Sequence, residues 1–167
     1  LTTTALGADV FVAGLMEGAA ASLFNMLPAI IFLVAVFLAF STGTSWGTFG
    51  ILIPIVTAIF ATSDYTLMTI GISACLAGAV CGDHISPISD TTIMASAGAG
   101  CNHISHVETQ LPYALTVLVI STISYIVVGF TKSAIPGLVV GVVLLFLFLN
   151  MMKKRQARMN MVANAEA

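Results

Sequence analysis

Apolar residues in this chain gather into long unbroken runs, with no alternation of period two and no amphipathic stripe. Five runs stand out: "LPAIIFLVAVFLAF" ending at Phe40, "GTFGILIPIVTAIFA" over 47–61, "TLMTIGISACLAGAVCG" over 66–82, "LPYALTVLVISTISYIVVGF" over 111–130 and "SAIPGLVVGVVLLFLFLNMM" over 133–152. Helices that are hydrophobic all round belong in a lipid or in a large core. The last two runs are 20 residues each, which is the length needed to span a hydrocarbon layer of roughly 30 Å. They predict ordinary transmembrane helices.

The first two runs are different. Pro28 to Phe40 and Thr48 to Phe60 are 13 residues each, about 20 Å of helix. Between them lies the polar, glycine-containing "STGTSWG". This pattern predicts a re-entrant helical hairpin over 28–61 with its tip at 41–47, covered by protein or water where its backbone is irregular. The third run reaches about 25 Å before Gly82 and Pro87 interrupt it. Proline lacks an N–H and pushes the preceding residue away from helical angles. Helix can resume near Asp90, whose carboxylate is placed to cap the N–H groups of Thr92 and Ile93. The expectation is a discontinuous transmembrane helix over 66–100, broken at 82–90 near the membrane middle and ending in the flexible "AGAG" of 97–100. A lead-in over 1–27, a cytoplasmic linker over 101–110 capped by Asn102 and a tail over 153–167 complete the organisation. Gly71, Ala74 and Gly78 put small residues on nearly one face of the third run, permitting close helix packing.

Composition strengthens the membrane assignment. The chain is 59% hydrophobic and 7% charged, against about a quarter charged in soluble domains. A net charge of −2 without a basic stripe argues against nucleic acid as a partner. Cys75, Cys81 and Cys101 form no CxxC pair and read as small hydrophobes. The start at "LTTTALGADV" has no basic n-region and suggests entry into a longer protein. Lys153, Lys154, Arg155 and Arg158 follow the last run and place the C-terminus in the cytoplasm. The linker then lies inside, and the hairpin opens to the outside.

The charged residues between Gly18 and Val107 are Asp64, Asp83 and Asp90. Asp64 sits in a short "TSDY" turn and reads as a solvated loop residue. Asp83 and Asp90 lie in the helix break, where a carboxylate is costly and marks ion paths or proton relays. Two hydroxyl clusters frame them: Ser41, Thr42, Thr44, Ser45 and Thr48 at the tip, and Ser86, Ser89, Thr91 and Thr92 in the break. Oxygen ligands of this kind suit small hard cations, and unwound backbone between half-helices adds carbonyls. The plainer reading is that these hydroxyls satisfy free backbone groups at helix ends. His84 adjoins Asp83 and either shares its proton or hydrogen-bonds the broken backbone. Trp46 at the tip is an interfacial anchor or, at mid-depth, a cover over a cavity. In "CNHISHVE", His103 and His106 share a helix face. A zinc site there lacks a visible ligand set, so a linker helix is the expected role.

"FSTGTSWGTFGILIPI", then "GDHISPISDTTIMAS", then "NHISHVETQLPYAL" together resemble the NhaC-type Na⁺/H⁺ antiporter family, part of a wider superfamily of ion transporters. The resemblance covers most of residues 5–130. It implies an all-α polytopic membrane protein of two inverted repeats, each with a re-entrant hairpin and a broken helix, often a homodimer, in the bacterial inner membrane. This chain would be the second repeat and a terminal helix. Ser41 to Ser45 would match a sodium-binding loop, and Asp83 to Thr92 the helix facing the ion.

The resulting expectation is Na⁺/H⁺ exchange, with Na⁺ held at Asp83, Asp90, Ser45 and Thr91 and displaced on protonation. His84 would assist the coupling. No cofactor or enzymatic reaction is implied beyond the transported ions. Three rivals remain: a sodium-coupled organic-acid exchanger or symporter of the malate/lactate type, an intramembrane aspartyl protease using the two aspartates, and a non-transporting structural fragment.

Overall fold

A computed structural model describes residues 21–60 and 65–165, with side chains over 24–60 and 65–155. Asp64, Arg158 and most of the lead-in lie outside these described side chains. The described backbone is helical throughout: α1 (Ala21–Thr42), α2 (Ser45–Phe60), α3 (Tyr65–Ile85), α4 (Asp90–Gly98), α5 (His103–Thr131) and α6 (Ala134–Ala165). Four helices are long and apolar enough to cross a membrane, over Phe24–Thr42, Tyr65–Ile85, His103–Thr131 and Ala134–Arg155. The protein is therefore a multi-pass membrane protein.

The first hairpin arm is longer than its sequence suggests. α1 runs 22 residues through Pro28, about 33 Å, whereas α2 has 16 residues and reaches about 24 Å. Proline is tolerated inside membrane helices because neighbouring helices compensate for the missing bond. Here Pro28 is buried, and α5 comes close beside it: a Cβ on Gly129 would collide with the Asn25 carbonyl oxygen. The tip is tighter than expected, two residues only. Gly43 adopts φ +67° and donates its N–H to the Ala39 carbonyl at 2.8 Å, a left-handed cap closing α1. Thr44 then caps α2 by accepting the Gly47 N–H at 3.3 Å.

α1 and α3 run parallel in a fixed register. A Cβ on Gly78 would strike the Phe32 carbonyl, a Cβ on Gly82 the Val36 carbonyl, and one turn on Ser86 donates to the Phe40 carbonyl at 2.7 Å. Both members of each pair advance by four residues. α2 returns antiparallel along α3, with Val56 and Phe60 against Gly71. The expected small residues of α3 are therefore shared: Gly78 lies at the α1–α3 contact, which extends to Gly82, while Gly71 faces α2. Leu27, Phe32, Val36, Val56, Phe60 and Leu67 fill the core around it.

α5 descends antiparallel to α1, stacking Tyr125 on Phe32 at 5.2 Å, and ends at Lys132 in the left-handed region, φ 49°. Linker residues 103–110 are its opening turns. Asn102 caps it, its Oδ1 accepting the Ser105 N–H at 3.1 Å, as the sequence suggested.

Candidate functional site

The helix break is narrower than 82–90. α3 continues through Gly82 and Asp83 to Ile85, 21 residues and about 32 Å, so the break falls toward the end of a full-length helix. Ser86–Ser89 form one turn with Pro87 at its second position, closed by Ser89 N–H to Ser86 O at 3.3 Å. α4 does not continue the axis of α3. The Thr92 hydroxyl donates back to the His84 carbonyl at 3.1 Å, so α4 packs beside the end of α3. The "AGAG" end is also built rather than loose. Gly100 (φ +63°) closes α4 with Gly100 N–H to Ala97 O and Cys101 N–H to Ser96 O, both 3.1 Å.

Asp83 is the buried carboxylate of this region, 7% exposed. Its Oδ1 accepts the Ser89 hydroxyl at 2.6 Å, the length of a charge-assisted O–H···O⁻ bond. Ser89 is fully buried and has one proton, so the 2.7 Å contact to Thr91 Oγ1 has Thr91 as donor. A chain of hydroxyls thus runs from exposed Thr91 through Ser89 to Asp83. Asp83 Oδ2 has no partner among the described residues.

Asp90 is placed differently. It is exposed in the first turn of α4, and the capping position belongs to Ser89, whose side chain makes no capping bond because it is committed to Asp83. The expected capping of Thr92 and Ile93 by Asp90 does not occur; Ile93 N–H goes to the Ser89 carbonyl at 3.0 Å. The carboxylate still lies at a helix N-terminus, where the dipole favours it.

The tip and the break meet. Ser86 Oγ reaches the Phe40 carbonyl, and Gly43 lies so close to Ile88 that a Cβ would come within 2.9 Å of the Ile88 oxygen. The N-termini of α2 and α4 and the C-termini of α1 and α3 therefore gather in one place. Not every tip hydroxyl points into it. Ser41 and Thr42 donate to the Phe37 and Leu38 carbonyls of their own helix, both at 2.8 Å, and Thr48 to Thr44 O at 2.9 Å. Ser45 is half-buried, and its side chain makes no hydrogen bond among the described residues. Thr92 is buried at 3% exposure. His84 has an exposed side chain, and its carbonyl accepts both Thr92 and Gln110. Trp46 is 82% exposed with its ring edge-on to Phe49.

Residues the sequence reading assigned to the linker belong to this site's surroundings. His103 reaches back to the Pro87 carbonyl at 2.7 Å, and Gln110 to His84 O at 2.9 Å. The available signal was the broken backbone itself, whose freed carbonyls need donors. Among the described residues no group of three His, Cys, Asp or Glu side chains is gathered for a metal. A 690 Å³ apolar cavity between α3, α5 and α6, lined by Thr69, Ser73, Ser121 and Tyr125, lies a dozen or so residues back along α3 from Asp83.

The family model for the Na⁺/H⁺ antiporter family matches residues 3–130. This chain belongs to that family. Its members are transporters rather than enzymes, which removes the protease reading. Similar proteins include an uncharacterized protein of Haemophilus influenzae, 54% identical over 131 residues, covering 78% of this chain and 25% of the relative. A malate-2H⁺/Na⁺-lactate antiporter of Bacillus subtilis is 38% identical over 90 residues, 54% of this chain and 19% of the relative. An uncharacterized Na⁺/H⁺ antiporter of Haemophilus influenzae is 35% identical over 106 residues, 61% of this chain and 22% of the relative. The chain thus spans a quarter or less of the length of these relatives. No solved structure matches it.

Proposed function

We propose that this chain contributes the ion site of a secondary transporter that exchanges Na⁺ for H⁺, with the two ions competing for Asp83. The observation that carries this reading is the buried Asp83 carboxylate, with one oxygen held by Ser89 and the other without a partner among the described residues. A carboxylate in such a place is an ion or proton site by default. Na⁺ takes the ionised group with oxygen from Thr91, Ser45 and Asp90, and α3 brings the negative end of its dipole to the same spot. Protonation removes the charge and releases the ion. His84 and the remaining hydroxyls, Ser41, Thr42, Thr44, Ser86 and Thr92, shape or line the approach.

The basic residues Lys153, Lys154 and Arg155, at the end of the apolar span of α6, support an orientation with the C-terminus and the start of α5 in the cytoplasm of a bacterial inner membrane. The hairpin returns the chain to the side it came from, so the break and the tip lie toward the cytoplasmic end. The α1–α2 pair is then either re-entrant or, given the length of α1, a deeper hairpin. A second copy of the protein and a first repeat complete the unit.

A second reading is organic-acid exchange. Two helix N-termini, of α2 and α4, face the same place, and such ends bind carboxylates. Full-length protein in proteoliposomes with a pH-sensitive dye separates the two. Na⁺-triggered proton movement without an organic acid supports Na⁺/H⁺ exchange; a response that requires malate or lactate moves the protein to the second reading.

A further inference from the structure

His103 stands on the first turn of α5, yet its ring is bonded to the proline that makes the break. Nε2 lies 2.7 Å from the Pro87 carbonyl, and Nδ1 lies 3.0 Å from Ser96 Oγ. A carbonyl only accepts, so Nε2 carries a proton. Ser96 is 3% exposed and has the Ile93 carbonyl at 2.8 Å as its other partner. One ring therefore joins three pieces: the break at Pro87, α4 at Ser96 and the start of α5. From the structure we infer that His103 is a positioning residue, which holds the break in the geometry that presents Asp83 and Ser89. The inference rests on the reading of the break as the ion site.

The Ser96 hydroxyl has the His103 Nδ1 at 3.0 Å and the Ile93 carbonyl at 2.8 Å, and with Nε2–H on Pro87 the ring joins the break to α4. Cys101 adds a second contact to the same residue, its thiol donating to Ser96 O at 3.6 Å.

The test compares wild type, His103→Ala and His103→Gln in full-length protein in lipid nanodiscs. It reads amide hydrogen exchange over residues 86–92 at a single pH. His103→Ala should lower protection of the break about tenfold, the effect of one lost hydrogen bond. His103→Gln keeps a donor for Pro87 and should restore most of that protection. Unchanged protection in His103→Ala, or protection in His103→Gln as low as in His103→Ala, overturns the inference. If His103→Ala does not fold, Ser96→Ala decides: it removes the ring's second partner and should lower protection over 86–92, and wild-type protection there overturns the inference. Proteoliposome flux on the same variants keeps the two readings apart. Changed protection with no Na⁺-driven flux in wild type leaves the brace standing and refutes the proposed function. Normal flux with unchanged protection does the reverse.

Discussion

Replacing Gly82 with alanine tests whether the α1–α3 contact sets the site. The new methyl would meet main chain: it would overlap the Val36 carbonyl oxygen and come within 2.9 Å of both the Val36 carbonyl carbon and Cα. Ordinary contact begins near 3.4 Å, so those carbons must retreat at least 0.5 Å, the difference of the two values, and the oxygen further. A backbone cannot rotate aside as a side chain can. The helices must separate or slide, at a cost of about 1–3 kcal/mol for overpacking, or roughly 5- to 150-fold in the folding equilibrium. Asp83 is the next residue, and the 2.7 Å bond from Ser86 to Phe40 lies one turn beyond, so both move with the separation. Thermal unfolding in detergent and Na⁺-driven flux in proteoliposomes should both fall. Gly50→Ala is the control, since nothing lies within 4 Å of a Cβ there, and it should be neutral or slightly stabilising. A Gly82→Ala protein as stable and active as wild type would refute the close-packing argument.

Gly43→Ala combines a left-handed backbone, about 1–2 kcal/mol, with a contact on the Ile88 carbonyl, whereas Gly100→Ala has a similar φ of +63° in open space. Melting temperatures should fall more for Gly43→Ala, and equal falls would deny that tip and break touch. Ser86→Ala removes the 2.7 Å bond to Phe40 and should cost about 1 kcal/mol in chemical or thermal unfolding; no loss would mean that the bond is incidental. Ser89→Ala removes the one donor to Asp83 Oδ1 among the described residues. A hydrogen bond to a charged group contributes about 1.5–3 kcal/mol, so the Na⁺ concentration for half-maximal flux should change by about tenfold or more, with Thr91→Val having a smaller effect. Equal, small effects in the two variants would count against the hydroxyl chain.

The membrane class and the interruption at Pro87 were legible because each depends on local facts: run length, polarity and the backbone chemistry of proline. The helix through Pro28 was not, since proline reads as a boundary unless one knows that α5 packs beside it at Gly129. The sideways turn of α4 was equally hidden, because it depends on Thr92 finding the His84 carbonyl across the break. Within the candidate site, sequence reading picked out Asp83 and Ser89 but had no basis for ranking Asp83 above Asp90; burial separates them. Hydroxyls such as Ser41 and Thr42 follow a rule that sequence does offer, since Ser and Thr in helices often bond the carbonyl four residues back. His103 and Gln110 look like ordinary linker residues because their partners lie 16 and 26 positions earlier in the chain.

The most direct test of the central claim is Na⁺-triggered proton flux in proteoliposomes holding full-length wild type, Asp83→Asn or Asp90→Asn at matched protein levels. The account predicts flux in wild type, none in Asp83→Asn and a reduced response in Asp90→Asn. Wild-type flux in Asp83→Asn would contradict it.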